Sequence, residues 1–166
     1  DIIPEFNLYE EHWKIYTNSG EQVPVYLGDN AKIDTSIVAG GSEVDGKINN
    51  SIIGYNVKIG KGSVINESII MGNVEIKENV KIDKAIICED SIIESNVVIG
   101  TGDNIENEKM PHIYNTGITV LGEKTVVPSD VTIGKNCVIY GVTTKEDYKQ
   151  GKLLSGQTIC KEEAEK

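Results

Sequence analysis

Apolar residues, most of them β-branched, return every five or six positions along much of this chain. Between residues 53 and 139 the series consists of Ile53, Ile59, Ile65, Ile70, Ile76, Ile82, Ile87, Ile93, Ile99, Leu121, Val127, Ile133 and Ile139. A helix face repeats about every 3.6 residues and a half-buried strand about every two, so neither fits this spacing. The pattern predicts a solenoid of very short strands, in which each repeat stacks on the next.

A second regularity marks the corners between those strands. Three positions after the apolar leader, ten repeats have Asn, Asp or Gly, at Asn30, Asn56, Gly62, Asn73, Asn79, Asp90, Asn96, Gly102, Asp130 and Asn136. These residue types tolerate a left-handed backbone, which a tight corner requires. The next position is small or β-branched, so each strand is expected to send one large and one small side chain inward. In the five-residue repeats we expect the corners at Ser36, Ser68 and Ala85.

Repeats of six, six and five residues make a coil of 17 residues. We therefore expect an all-β fold, a parallel β-helix of about six coils spanning residues 27–142, with coils about 4.8 Å apart. Residues 103–117 cannot be fitted to the repeat and are predicted to leave the prism as one extruded loop. Residues 1–26 contain an aromatic cluster that includes Trp13, and we expect a strap that caps the first coil or connects to an upstream domain. Residues 143–166 are expected to form a C-terminal cap and a charged tail.

Composition excludes several classes of partner. The net charge is −10 and the chain contains no arginine, so neither a nucleic acid nor an anionic membrane is an expected partner. Cys88, Cys137 and Cys160 have no metal-binding spacing and suit reduced thiols, which favours a cytoplasmic location. The first residue is not Met, and we interpret the chain as the C-terminal piece of a longer protein.

The sequence holds little catalytic chemistry. Its two histidines, His12 and His112, are too few for the three-imidazole zinc site of a β-helical hydratase, and we predict no metal site and no catalytic residue. Gly60-Lys61-Gly62-Ser63 falls on a corner and is explained by turn geometry, without a phosphate loop. One alternative stays open, a hexapeptide acyltransferase that uses His112 in the extruded loop as its general base.

Several motifs indicate a family. They are Trp13-Lys14-Ile15-Tyr16-Thr17, Val23-Pro24-Val25-Tyr26, the Ser-Ile-Ile steps at 51–53 and 68–70, Asn115-Thr116-Gly117-Ile118-Thr119-Val120, and Val127-Pro128. Together they resemble the C-terminal domain of bacterial glucose-1-phosphate adenylyltransferase, also called ADP-glucose pyrophosphorylase. The resemblance covers roughly residues 5 to 140. A β-helix domain of another sugar-nucleotide pyrophosphorylase, or a free scaffolding module, is the further alternative.

The resemblance implies a left-handed β-helix whose parent enzyme transfers the adenylyl group of ATP to glucose 1-phosphate, with Mg²⁺, in glycogen biosynthesis. In such enzymes the chemistry belongs to an N-terminal catalytic domain, so this chain alone is expected to be inactive. The β-helix domain is implied to pack on that catalytic domain and to help assemble a homo- or hetero-tetramer.

The resemblance also implies an anionic-effector site. Regulated relatives carry basic residues in the stretches that correspond to 86–93 and 117–128, where this chain has Glu89 and Glu123. Two carboxylates would repel a sugar phosphate. Lys84 and Lys124 lie close by in sequence and are the candidate effector-binding residues. We therefore expect weak activation by such anions, or none.

Overall fold

The computed structural model describes His12 and residues 22–161 of the chain. In this part, twenty short strands and one 3-10 helix, Lys145–Asp147, follow one another along the sequence. The strands form three sheets, of six, seven and seven strands, and every ladder between them is parallel. The predicted all-β parallel solenoid is confirmed, and its architecture is consistent with the left-handed β-helix that the resemblance implies.

The chain visits the three sheets in turn, and we name the sheets face A, face B and face C. Face A contains β1 (Tyr26–Leu27), β4 (Glu43–Val44), β7 (Lys58–Ile59), β10 (Glu75–Ile76), β13 (Ile92–Ile93) and β16 (Val126–Val127). Face B contains β2 (Lys32–Asp34), β5 (Lys47–Asn49), β8 (Val64–Asn66), β11 (Lys81–Asp83), β14 (Val98–Thr101), β17 (Thr132–Gly134) and β19 (Lys152–Leu153). Face C contains β3 (Ile37–Val38), β6 (Ile52–Ile53), β9 (Ile69–Ile70), β12 (Ala85–Ile87), β15 (Thr119–Leu121), β18 (Val138–Tyr140) and β20 (Thr158–Cys160).

The apolar leaders form the core, as the spacing predicts. All thirteen leaders from Ile53 to Ile139 are at most 3% exposed. On face C the pairs Ile53↔Ile70 and Ile70↔Ile87 stand in direct register, so identical side chains stack in one inner column. Each coil thus buries its leaders against those of its neighbours, which is how a solenoid obtains a continuous core.

Nine of the ten predicted corner residues adopt the left-handed conformation, with φ between 54° and 90°. The exception is Asn30, whose backbone N–H and side-chain amide both donate to the Asp45 carboxylate at 3.0 Å. The prediction for the short corners was wrong by one residue. The positive φ lies at Thr35, Glu67 and Lys84, because Ser36, Ser68 and Ala85 supply the small side chains at the start of the next strand.

Serine hydroxyls at these small positions tie neighbouring coils together. Ser68 Oγ donates to the Asn66 carbonyl at 2.6 Å and accepts the N–H of Ala85, one coil further on, at 3.0 Å. Ser51 repeats the arrangement by donating to Asn49 and accepting the N–H of Ser68. Among the described residues, every buried side-chain nitrogen and oxygen has a hydrogen-bond partner. The core is therefore polar at its edges without unsatisfied groups.

The solenoid continues beyond residue 142, where we expected it to end. Strand β19 pairs with β17 and β20 pairs with β18, so the stack is slightly longer than the predicted six coils. In this last coil a single parallel bridge between Val142 and Val126 continues face A, the 3-10 helix follows it, and Tyr148 behind the helix joins the core at 3% exposure. The aromatic residues before residue 22 and the tail 162–166, both named in the predictions, lie outside the described residues.

The segment between β14 and β15, residues 102–118, contains no strand and forms the extruded loop. Asn107 fixes it to the last coils: its Nδ2 donates to the Asn136 carbonyl at 2.9 Å and to Thr158 Oγ1 at 3.0 Å. Asn136 Nδ2 donates to Asn104 Oδ1 and to Ile105 O, both at 2.7 Å. Asn136 Oδ1 accepts the N–H of Gly117 at 2.7 Å. Both asparagines are at most 1% exposed, so the loop is anchored through two buried amides.

Candidate functional site

Lys84, the first candidate effector residue, lies at the corner between faces B and C. Its backbone has φ 49°, its N–H donates to the Asn66 carbonyl at 3.2 Å, and its own carbonyl accepts the N–H of Thr119 at 3.0 Å. These two backbone hydrogen bonds hold the Lys84 backbone in place, and the left-handed conformation of the corner determines the direction in which the side chain leaves it. The ammonium group lies 3.5 Å from a Glu67 carboxylate oxygen, with both side chains about half exposed. An exposed pair of this kind contributes roughly 0 to 1 kcal/mol.

Lys124, the second candidate, lies at the corner between faces C and A. It also has a left-handed backbone, with φ 54°, and its N–H donates to the Glu89 carbonyl at 2.9 Å. The corner column below it consists of Asp90, Asn73 and Asn56, one residue per coil. Asn73 Nδ2 donates to Asp90 Oδ1 at 3.0 Å, and Asn56 Nδ2 donates to Asn73 Oδ1 at 3.3 Å. Lys124 is thus placed at the end of a polar ladder.

The structure does not bring the two lysines together. Lys84 directly precedes β12, Lys124 follows β15, and these strands pair with Ala85 opposite Thr119 and Ile87 opposite Leu121. The lysines therefore lie at opposite edges of face C, about six residues apart along the strand direction, or roughly 20 Å. A single phosphate group cannot bridge two Cα positions so far apart without both side chains reaching inward.

Glu89 and Glu123, the two glutamates of the predicted effector stretches, lie near each other. The register of β12 and β15 places Glu89 opposite Glu123 in neighbouring coils. Cys88 directly precedes Glu89 and is partly buried; burial, followed by the negative charges of Glu123 and Glu89, raises the pKa of its thiol. A thiol with a raised pKa is a poor nucleophile. The potential at this edge of face C is therefore negative, which opposes anion binding.

The alternative catalytic residue, His112, is exposed on a turn of the extruded loop. That turn is closed by the N–H groups of Ile113 and Tyr114, both donating to the Met110 carbonyl. A groove of about 300 Å³ separates the loop from face C, lined by Asn107, Lys109, Met110, Tyr114, Val138, Tyr140, Thr158, Ile159 and Cys160. His112 is absent from this lining, so the groove gives no support to a general base acting in it.

Three further features of the described residues concern metal binding, thiol protonation and membrane-spanning helices. No group of three or more His, Cys, Asp and Glu side chains among residues 22–161 and His12 is placed to hold a metal ion. Burial raises the pKa of the Cys137 thiol to about 11, which keeps it protonated inside the core. In the described part of the chain, no helix has the length and apolar character needed to cross a membrane.

Comparison with known proteins agrees with the fold. Residues 23–121 match the family described as GlmU-like, C-terminal hexapeptide. The chain is 49% identical to a glucose-1-phosphate adenylyltransferase of Lachnospira eligens over 161 residues, which is 97% of this chain and 38% of the relative. Proteins of the same name from Acetivibrio thermocellus and Thermotoga neapolitana are 41% and 45% identical, over 96% and 97% of this chain and 37% and 38% of their own lengths. The chain thus spans less than two fifths of these relatives, and the resemblance stated from the motifs is confirmed.

Proposed function

This chain belongs to the GlmU-like C-terminal hexapeptide family, and we propose that it is the non-catalytic C-terminal domain of a glucose-1-phosphate adenylyltransferase. The observation that carries the proposal is the match over 97% of this chain to relatives of which it spans 38%, in their C-terminal part. The longer protein is a cytoplasmic enzyme that makes ADP-glucose and pyrophosphate from ATP and glucose 1-phosphate for glycogen synthesis. The β-helix supports that chemistry without taking part in it.

The distribution of reactive groups supports a structural part for this domain. The residues that fill the prism are aliphatic apart from Cys137 and Tyr148, and buried serine hydroxyls such as that of Ser68 make hydrogen bonds to the backbone. The charged side chains of the described residues lie outside the prism, at outward positions of faces A and B, at corners, in the extruded loop and in the 3-10 helix. An enzyme site needs several titratable groups converging on one cleft. We therefore assign ATP and Mg²⁺ to the N-terminal catalytic domain of the longer protein, and tetramer formation to the whole enzyme.

The proposal for regulation is argued from the charged residues at the two edges of face C. Lys84 and Lys124 are the effector-binding residues of the proposal, and each acts alone because they stand at opposite edges of the face. Glu67 already pairs with Lys84, and Glu89 and Glu123 surround the edge that holds Lys124. A sugar bisphosphate approaching either lysine meets one or two carboxylates. The longer enzyme is therefore weakly activated by anionic sugar phosphates, or not at all.

An assay of pyrophosphate release tests the proposal. The longer protein, supplied with ATP, glucose 1-phosphate and Mg²⁺, is expected to release pyrophosphate, whereas the 166-residue chain supplied with the same substrates is not. Mass spectrometry of the nucleotide product confirms ADP-glucose. Pyrophosphate release by the 166-residue chain, or a longer protein that transfers an acyl group and loses that activity in His112→Ala, would overturn it. Titration of the same assay with fructose 1,6-bisphosphate reports regulation separately, and strong activation would contradict the proposal for Lys84 and Lys124.

A further inference from the structure

The groove between the extruded loop and face C has no role in the function proposed above. Lys109, Met110 and Tyr114 of the loop form one wall, and residues of β18 and β20 form the other, among them Tyr140 and Cys160, which stand in register. The volume of the groove is about 300 Å³. Ligand sites span roughly 300 to 1,000 Å³, so the groove has the size of a site for a small molecule.

Both walls of the groove are held in place by the fold itself. The buried amide of Asn107 anchors the loop, and its Oδ1 accepts the N–H groups of Lys109 and Met110 at 3.0 Å, so the backbone of the first wall is fixed. On the other wall, the ring of Tyr140 lies directly over Gly122, where an added β-carbon would collide with it. Walls that are already ordered lose little conformational entropy when a ligand binds.

The apolar surface of these walls is open to solvent. Met110 is 51% exposed and Tyr140 is 50% exposed, although the backbone that carries each of them is anchored. An apolar molecule in the groove removes this surface from water, which the hydrophobic effect favours. A flat ring of the ligand can stack on the outer face of Tyr140, and the Met110 thioether can contact that ligand ring from the loop. The groove therefore favours a flat, apolar body.

The polar groups that remain free in the groove can donate hydrogen bonds. In the described part of the chain, the Lys109 ammonium makes no ion pair, and the hydroxyls of Tyr114 and Tyr140 make no hydrogen bond. None of the described side chains that line the groove is a carboxylate, and the neighbouring Glu108 accepts the N–H of Thr158 at 3.3 Å. In a chain of net charge −10, this hollow is a local exception. A complementary ligand supplies acceptors and a negative charge.

We propose that this groove binds a small organic anion, an aromatic ring system that carries one carboxylate, sulfonate or phosphate group. The ring lies on Tyr140 and is covered by Met110, and the anionic group pairs with Lys109. A cationic ligand is disfavoured, because no carboxylate of the lining pairs with it and Lys109 repels it. Since the ligand contacts both walls, its binding holds the extruded loop against the last coils.

Protection of Cys160, an exposed natural thiol in the groove, tests the proposal in the longer protein. The probe is 8-anilinonaphthalene-1-sulfonate, an aromatic anion, and N-phenyl-1-naphthylamine is its counterpart without the sulfonate. At about ten times its dissociation constant the anionic probe fills all but roughly a tenth of the grooves, so Cys160 should react with a maleimide roughly tenfold more slowly. Mass spectrometry of peptides measures this rate at Cys160 alone. A thiol placed on face B by Lys81→Cys is the control and should keep its rate.

The probe concentration that halves the Cys160 rate gives the affinity of the groove itself. At low ionic strength, Lys109→Gln should weaken the sulfonate probe about two- to fivefold and leave the neutral probe unchanged, because only the sulfonate loses a charge pair. Lys81→Gln, at an exposed lysine of face B, is the matched control and should change neither affinity. Tyr140→Ala should weaken both probes about tenfold, because both lose the ring on which they stack.

Four other results would contradict the proposal. A Cys160 rate that saturating probe does not change would overturn the groove as a binding site, and so would a Cys160 that fails to react before any probe is added, because another part of the protein then covers it. Lys109→Gln that weakens both probes alike, or neither, would overturn the anionic group of the ligand. Unchanged affinities in Tyr140→Ala would overturn the stacked ring. ADP-glucose formation reports the proposed function separately, so an active enzyme with an unprotected Cys160 rejects only the groove.

Discussion

At the scale of single residues, the corners depend on backbone conformations that most side chains disfavour. Asn and Asp at the long corners adopt the left-handed region at low cost, and the Asn56, Asn73 and Asp90 side chains bond to one another from coil to coil. Glu67 and Lys84 occupy the same region at the short corners, which costs roughly 1 kcal/mol each. The residue type predicted the first group of corners. It could not predict the second, because neither Glu nor Lys carries a preference for this conformation.

Asn73→Ala tests the contribution of a ladder corner. Alanine, unlike asparagine, has no polar side chain that favours the left-handed backbone at φ 57°. The substitution also removes the hydrogen bonds to Asn56 and Asp90. We expect the free energy of unfolding to fall by about 1 to 2 kcal/mol, measured by urea denaturation. Asn49→Ala is the matched control, an exposed asparagine of β5 outside the left-handed positions, and should change stability by less than about 0.5 kcal/mol. Equal losses of unfolding free energy in the two variants would show that the left-handed corner and its hydrogen bonds contribute no more to stability than an exposed strand asparagine does.

At the scale of elements, the repeat predicted nearly all strands between Leu27 and Ile139. The last two strands were missed, because residues 143–150 do not fit the hexads and separate β19 and β20 from the regular series. A usable pattern was nevertheless present: Gly156 follows Leu153 by three positions and Ile159 follows it by six, as in the six-residue repeats. The extruded loop was predicted from its failure to fit. Its anchoring through Asn107 and Asn136 was not, since contacts between residues so distant in sequence leave no local pattern.

Asn107→Ala tests that anchor. Asn107 donates to Asn136 O and Thr158 Oγ1, and its Oδ1 accepts the N–H groups of Lys109 and Met110 at 3.0 Å. The loss of these bonds inside a buried contact should cost about 2 kcal/mol and release residues 102–118 from the prism. Limited proteolysis, followed by mass spectrometry, is expected to show faster cleavage within that loop and unchanged resistance of the strands. Asn115→Ala, which removes one exposed bond to the Pro111 carbonyl in the same loop, is the control and should leave the cleavage rate almost unchanged.

At the scale of the whole molecule, the two ends of the described prism differ. In the first coil the inward residues Leu27 and Ile33 are 54% and 38% exposed, whereas Leu153 in the last coil is 6% exposed. Tyr148 accounts for part of this difference, because it lies in the core cluster of the last coil with its hydroxyl 2.8 Å from Thr143 Oγ1.

The positions of the candidate effector residues could not be predicted from the sequence pattern. Lys84 and Lys124 flank aligned motifs, yet only the order of faces around the prism shows that they stand at opposite edges of face C.

The buried phenol of Tyr148 in the last coil, which we call the closed end of the prism, should make the free energy of unfolding fall as the pH rises through the alkaline range. Burial raises the pKa of Tyr148 from 10.0 to about 12, with the hydrogen bond to Thr143 acting in the opposite direction. The unfolded phenol loses its proton near pH 10, while the folded one keeps it to about pH 12. The folded state therefore binds more protons in this interval, and stability that is complete below pH 10 is lost as the pH rises to 12. The loss is about 2 to 3 kcal/mol for a shift of this size.

Urea denaturation between pH 8 and pH 12 measures this dependence, and Tyr148→Phe should abolish the contribution of the phenol, including all of the loss between about pH 11 and pH 12. Cys137 contributes its own loss at lower pH, because burial raises the pKa of its thiol from 9.0 to about 11, and that part should persist in Tyr148→Phe. Tyr140→Phe, at a tyrosine that is 50% exposed on face C, is the matched control and should retain the full dependence. If Tyr148→Phe and Tyr140→Phe lose stability in parallel up to pH 12, the phenol of Tyr148 is not held in the core, and the closed end of the prism must be stabilised by Leu153 and its neighbours alone.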